Sequence, residues 1–229
     1  MIKATSVVFL SLLATVHVFA QTEQLRVELA DGKSIASFLL VPESATPAYL
    51  MVLMPPGDGS GALAYDVQAS LGEEMRERGW AVSVPASPNN ASFRNSNNAL
   101  VIGLIDELQK DPRIATGKVI LAGISNGGIS AIEIASHYPD RVKAVLGVPA
   151  IVSSNTDLDA LNGMPIYLRI GDQDEYMWMN RYDETKKQLE EAGVQLDADL
   201  LFMSPHTFGM DWENLDPWLS NIKEQLEAK

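Results

Sequence analysis

The sequence predicts one α/β domain: a mainly parallel, twisted β-sheet with helices on both faces. Three observations carry that prediction. Apolar runs of strand length alternate with stretches whose apolar residues recur at helical spacing, the pattern of βαβ units. Two of the runs, residues 48–54 and 118–122, are apolar almost throughout, as strands covered on both faces are. Gly123-Ile124-Ser125-Asn126-Gly127 then stands where the second run gives way to a helical pattern, so a tight turn joins strand to helix there.

Taken in order, residues 25–29 and 34–41 read as two strands joined at Asp31-Gly32, a hairpin signal, which places antiparallel edge strands at the N-terminal side of the sheet. The run 48–54 follows. A helical pattern over 62–78 ends at Gly79, a C-cap residue; then come a strand over 80–84 and a helix over 99–110. After the strand at 118–122 the pattern gives a helix to His137, strands over 142–148 and 165–170, a helix over 180–192, a strand over 196–203 and a last helix over 212–227. The Ser/Asn-rich stretch 87–98 is the one extended polar loop. It follows a strand, on the side where such sheets bind ligands, and is either a cleft wall or plain surface.

The chain has 229 residues, enough for one well-buried domain and too few for two of ordinary size. Residues 1–20 combine Lys3, an apolar run over 7–14 and Val18-Phe19-Ala20, a small-residue cleavage pattern. They are expected to form a secretory signal peptide. Residues 21–229 are then a single exported domain, periplasmic or secreted, without a membrane span after cleavage, because the apolar run is short and broken by Ser11, Thr15 and His17. There is no cysteine, so the fold stands on its core without a disulfide. The formal charge is −13, one unit more negative once Lys3 is removed, which disfavours nucleic acid and anionic lipid as partners. Only His137 and His206 remain after cleavage, and zinc sites are rarely built mostly from carboxylates, so no metal and no cofactor are expected.

Serine is a weak nucleophile until a neutral imidazole takes its proton and a carboxylate holds that imidazole. Ser125 stands between two glycines that permit a turn too tight for side chains, and is the candidate nucleophile. His137 lies at the end of the following helix, where a histidine readily caps carbonyls. His206 lies in a loop directly after the last strand, at the strand ends near Ser125, and is the candidate base. Asp172, Asp174 and Glu175 follow the strand 165–170, and each is also a plausible solvated carboxylate. The tetrahedral intermediate needs backbone donors: the N–H of Asn126, just after the nucleophile, and one from Pro55-Pro56-Gly57-Asp58-Gly59-Ser60-Gly61, that of Asp58. Met177, Trp178 and Phe208 are the candidate substrate-binding residues, although a Met/Trp cluster is more often ordinary core.

These residues resemble the α/β-hydrolase superfamily across nearly the whole chain after the leader. The resemblance rests on the elbow Gly123 to Gly127, the Pro56-Gly57-Asp58-Gly59 loop, the step from Gly171 to Asp174, Pro205-His206, and Tyr138-Pro139-Asp140-Arg141-Val142. It implies an α/β-hydrolase fold and a Ser125-Asp174-His206 triad, since the family's acid commonly stands three residues after a glycine. Pro56 stands where relatives often carry histidine. The interval 148–165 is too short for a large helical cap, so the chain looks like the compact carboxylesterase and dienelactone-hydrolase-like members. The resemblance implies a serine esterase, acting through an acyl-enzyme on a small-molecule or polymeric ester, and the leader implies that it is exported. The same machinery serves a peptidase or a polyester depolymerase, and the same fold serves a non-catalytic binding protein.

Overall fold

The structure, a computed structural model, describes residues 22–228. The expected signal peptide lies outside the described residues. Eight strands form one sheet in the order β1 (Glu23–Glu28), β2 (Ser34–Leu40), β4 (Ala81–Ala86), β3 (Leu50–Met54), β5 (Val119–Gly123), β6 (Val142–Gly147), β7 (Pro165–Gly171) and β8 (Gln195–Leu201). The pairs β1–β2 and β2–β4 are antiparallel, and every pairing from β4 across to β8 is parallel. The hairpin at Asp31-Gly32 thus supplies the antiparallel edge of a mainly parallel sheet.

Side chains alternate across a strand, and on β3 this divides the core in two. Leu50, Val52 and Met54 face a layer formed by α3 (Asn98–Leu108), α4 (Asn126–His137) and α5 (Tyr182–Glu191). Met51 and Leu53 face α1 (Gly61–Val67), α2 (Glu73–Glu77) and α6 (Trp212–Glu227). All five β3 residues are buried, as are all five of β5, and each fully buried aliphatic side chain contributes roughly 1.5–3 kcal/mol. Among the described residues no helix is long and apolar enough to cross a membrane.

Two local departures from the sequence reading bear on the site. The helix expected over 62–78 is interrupted by a π-turn at Gln68–Gly72, joining α1 to α2. The helix expected over 180–192 begins at Tyr182, after a short 3₁₀ turn at Trp178–Arg181 that Met177 opens in a left-handed conformation with φ 63°.

Strand order fixes where a ligand meets this sheet. From β3 the chain passes to β4 on one side, and the connection through α3 then crosses back to β5 on the other. The loops leaving the carboxyl ends of β3 and β5 therefore part, and a crevice opens between them. The Pro56-Gly57 loop leaves β3 and the Ser125 turn leaves β5.

Candidate active site

Ser125 occupies φ 57° and ψ −121°, a backbone region that costs a non-glycine residue on the order of 1–3 kcal/mol. Its neighbours hold it there. A Cβ on Gly123 would lie 2.2 Å from the Gly127 carbonyl, and one on Gly127 would lie 2.2 Å from the Met54 carbonyl oxygen, so only glycine lets the turn close against itself and against the end of β3. The Ser125 N–H donates to the Pro149 carbonyl (2.9 Å), Ile124 N–H donates to Met54 (3.2 Å), and the Ser125 carbonyl accepts from Ile129 N–H (3.0 Å) to start α4. Asn126 is the first residue of α4, where backbone N–H groups have no partner within the helix and the helix dipole favours negative charge.

The β3 loop is fastened to that helix. Asn126 Nδ2 donates to the Gly57 carbonyl (3.1 Å), Gly59 N–H donates to Pro56 (3.1 Å), and the Gly59 carbonyl accepts from Ser87 N–H (2.7 Å). Pro56 and Gly57 line the cleft above Ser125; Asp58 does not, and its carboxylate turns to accept from Ser60 N–H (2.9 Å).

Across the cleft, β7 and the loop after β8 touch backbone to backbone. A Cβ on Gly171 would meet the Ser204 and Pro205 carbonyl oxygens at 2.2 Å. That contact brings His206 to Asp174: the imidazole Nδ1 lies 2.7 Å from Asp174 Oδ2, with both residues buried. An ionised carboxylate only accepts, so it assigns the proton to Nδ1 and leaves the Nε2 lone pair free. The other Asp174 oxygen accepts from Tyr176 N–H (2.7 Å). The remaining two acids in this loop have different partners. Asp172 accepts from Ser204 N–H (3.2 Å), and Glu175 accepts from His206 N–H (3.0 Å), a bond that holds the Glu175 carboxyl below the usual carboxylate range. The rings of Tyr176 and Trp178 stand edge-on to the imidazole, with centroids at 4.7 and 4.9 Å.

Ser125, Asn126, His206 and Trp178 line one cleft of about 520 Å³ together with Pro56, Gly57 and Glu175. Met177 is exposed and outside its wall, and Phe208 lines a neighbouring cavity instead. No residue of the polar stretch 87–98 lines the cleft. That stretch backs the β3 loop through Ser87 and is tied to α4 by buried Glu133, which accepts from Asn95 N–H (2.6 Å) and Ser153 Oγ (3.2 Å). His137 lies at the far end of α4, roughly 18 Å from Ser125 at 1.5 Å per residue, with Nε2 3.0 Å from the Asn155 carbonyl.

One supporting cluster was not anticipated from sequence. Arg169, buried on β7, places its guanidinium 3.8 Å from the centre of the Tyr167 ring and bonds Asp211 Oδ2 (2.9 Å) and Asp197 Oδ1 (3.0 Å). Tyr167 Oη also donates to Asp211. Asp211 ends the loop that carries His206, so the cluster anchors that loop where α6 begins. A single charge within an otherwise apolar strand was the available signal. Burial works to raise the Asp211 carboxyl, but the bonds from Tyr167 and Arg169 outweigh it and hold the group below its usual range. A carboxyl depressed in the folded state stabilises above its unfolded pKa, about 3.9, and that stability is lost as pH falls through the lower folded value. Asp211→Asn is therefore expected to be less stable than wild type in urea at pH 7, with the gap narrowing at pH 3; a constant gap would remove the charge from the explanation.

No curated protein matches the chain. Solved structures do, at low identity. A thermostable esterase aligns with TM-score 0.65 and 16% identity over 89% of this chain and 60% of its own. Esterase PE8 aligns with TM-score 0.67 and 19% identity over 80% of this chain and 97% of its own. Porphyromonas gingivalis dipeptidyl peptidase 4 aligns with TM-score 0.66 and 11% identity over 91% of this chain, which spans only 36% of that protein. These likenesses establish a shared α/β-hydrolase fold. The dienelactone hydrolase family profile matches residues 91–224, more than half of the sequence and the part that holds Ser125, Asp174 and His206, and the chain therefore belongs to the dienelactone hydrolase family of hydrolases.

Proposed function

We propose that the chain is an exported serine hydrolase that cleaves carboxylic esters through Ser125, His206 and Asp174. The observation that carries this reading is the buried His206–Asp174 pair at 2.7 Å, in the same cleft as a serine held at φ 57° on a strand-to-helix turn. His206 Nε2 takes the Ser125 proton as Oγ attacks the acyl carbon. Asp174 steadies the imidazolium that results without itself taking a proton. The negative oxygen of the tetrahedral intermediate accepts from Asn126 N–H and from a backbone N–H of the Pro56-Gly57-Asp58 turn. His206 returns its proton to the departing alcohol, leaving an acyl ester on Ser125. Water then repeats the sequence, releasing the acid and restoring the serine.

One preparation tests both the serine and the export. The full chain is expressed with its leader in a bacterial host, treated with a fluorophosphonate and mapped by mass spectrometry. A single adduct on the Ser125 peptide and a chain starting at Gln21 in the periplasm or medium are expected. A folded, exported protein without the adduct overturns the mechanism; an adduct on a chain retaining residues 1–20 overturns only the export.

A further inference from the structure

Beside the cleft lies a second cavity of about 340 Å³. Its apolar wall is Leu71, Ile124, Val148, Phe208, Met210 and Trp212, gathered from the π-turn, the Ser125 turn, the loop after β6 and the segment running into α6. Ile124 and Thr207 belong to both cavities, and they are the chain neighbours of Ser125 and His206. We propose that this second cavity is an acyl subsite that takes an uncharged, unbranched acyl chain of medium length. The assignment rests on attack by Ser125 with His206 as the base.

The path of the proton separates the two halves of the ester. The alcohol oxygen leaves with the proton from His206, so the alcohol portion lies along the cleft that His206 lines. The second cavity is not lined by His206; it meets the cleft at Ile124 and Thr207, and Ile124 stands beside the serine that becomes bonded to the acyl carbon. The wall chemistry sets the class of acyl group. Among the described residues no lysine or arginine lines the cavity and Glu74 does, so an acyl group bearing a second carboxylate is disfavoured. The Glu74 carboxylate is engaged by Arg78 at 2.9 Å and Ser70 Oγ donates to the Asp66 carbonyl at 2.8 Å, which leaves Thr207, at the border with the cleft, as the remaining polar wall residue. Size sets the length. A methylene fills about as much space as a water, roughly 30 Å³, so the cavity holds on the order of ten carbons. The π-turn at Gln68–Gly72 supplies Ser70 and Leu71 to the wall, and such turns recur at functional sites.

The test is a series of p-nitrophenyl esters from acetate to dodecanoate, with one alcohol throughout. For wild type, kcat/KM is expected to climb roughly threefold to fourfold per methylene and to level off near eight to ten carbons. Two variants plug the cavity from different segments of its wall. Ser70→Trp fills it from an exposed position, and Gly209→Trp from a residue whose added Cβ would meet nothing within 4 Å. In either one, the octanoate-to-acetate ratio of kcat/KM is expected to fall tenfold or more, while acetate esters of lengthening alcohols show no such trend. A flat wild-type profile, or a ratio that both folded plugs leave unchanged, overturns the subsite while leaving Ser125-dependent turnover intact. Absence of Ser125-dependent turnover with every ester overturns the subsite and the underlying reading together.

Discussion

Ser125→Ala is expected to lower ester turnover by about 10⁴-fold or more while leaving the urea unfolding curve where it was. In the proposed mechanism nucleophile, base and acid act as one unit, so the expected chemical loss is large: with the hydroxyl gone, His206 would have no proton to take and no acyl-enzyme would form. The structural loss is small because alanine bears the same Cβ at φ 57° that serine does. Ser125→Gly separates strain from chemistry more sharply. Glycine removes the penalty of the left-handed conformation, so this variant is expected to be more stable than wild type by about 1 kcal/mol and equally inactive. A stabilised and inactive Ser125→Gly would mean that the fold stores strain at this residue for the sake of a presented hydroxyl. Turnover near the wild-type rate in either variant would mean that some other group attacks the substrate.

The features legible in the sequence were those imposed locally. The runs at 48–54 and 118–122 announced a sheet covered on both faces because every residue of β3 and of β5 is buried, and burial of consecutive residues leaves an unbroken apolar run. The Ser125 turn was legible because its two glycines answer to backbone contacts a few residues away or at the end of the neighbouring strand. What was hidden depends on segments far apart in the chain. Asp172, Asp174 and Glu175 are alike as loop carboxylates, and only the family resemblance, through the step from Gly171, singles out Asp174. They part roles only because the loop at 202–206 presents a different group to each: the Ser204 N–H, the imidazole and the His206 N–H. The Arg169–Asp211 clamp joins residues 42 apart, and no periodicity marks it. Phe208 and Trp178 both read as pocket aromatics, yet they fall in adjoining cavities, since the loop carrying His206 passes between the two walls.

Gly127→Ala is expected to destabilise the chain by about 3 kcal/mol or more and to abolish turnover at temperatures where wild type is active. The added Cβ would lie 2.2 Å from the Met54 carbonyl oxygen, 2.7 Å from its carbon and 2.6 Å from the Pro55 carbonyl oxygen. All three are backbone atoms at the end of β3, so no side chain can rotate out of the way. Relief requires α4 to withdraw from β3, and that stretches the Ile124 N–H bond to Met54 and the Asn126 Nδ2 bond to Gly57. The same displacement carries the Asn126 N–H away from the β3 loop, so the proposed oxyanion donors separate even in molecules that remain folded. Gly61→Ala is the control. It adds the same methyl at the start of α1, where a Cβ meets nothing within 4 Å, and is expected to be neutral or to stabilise by up to about 1 kcal/mol. If Gly127→Ala unfolds at the same urea concentration as Gly61→Ala, contact between α4 and β3 does not position the elbow. A gap of several kcal/mol, with turnover lost only at residue 127, ties the placement of Ser125 and Asn126 to backbone packing of α4 against the end of β3.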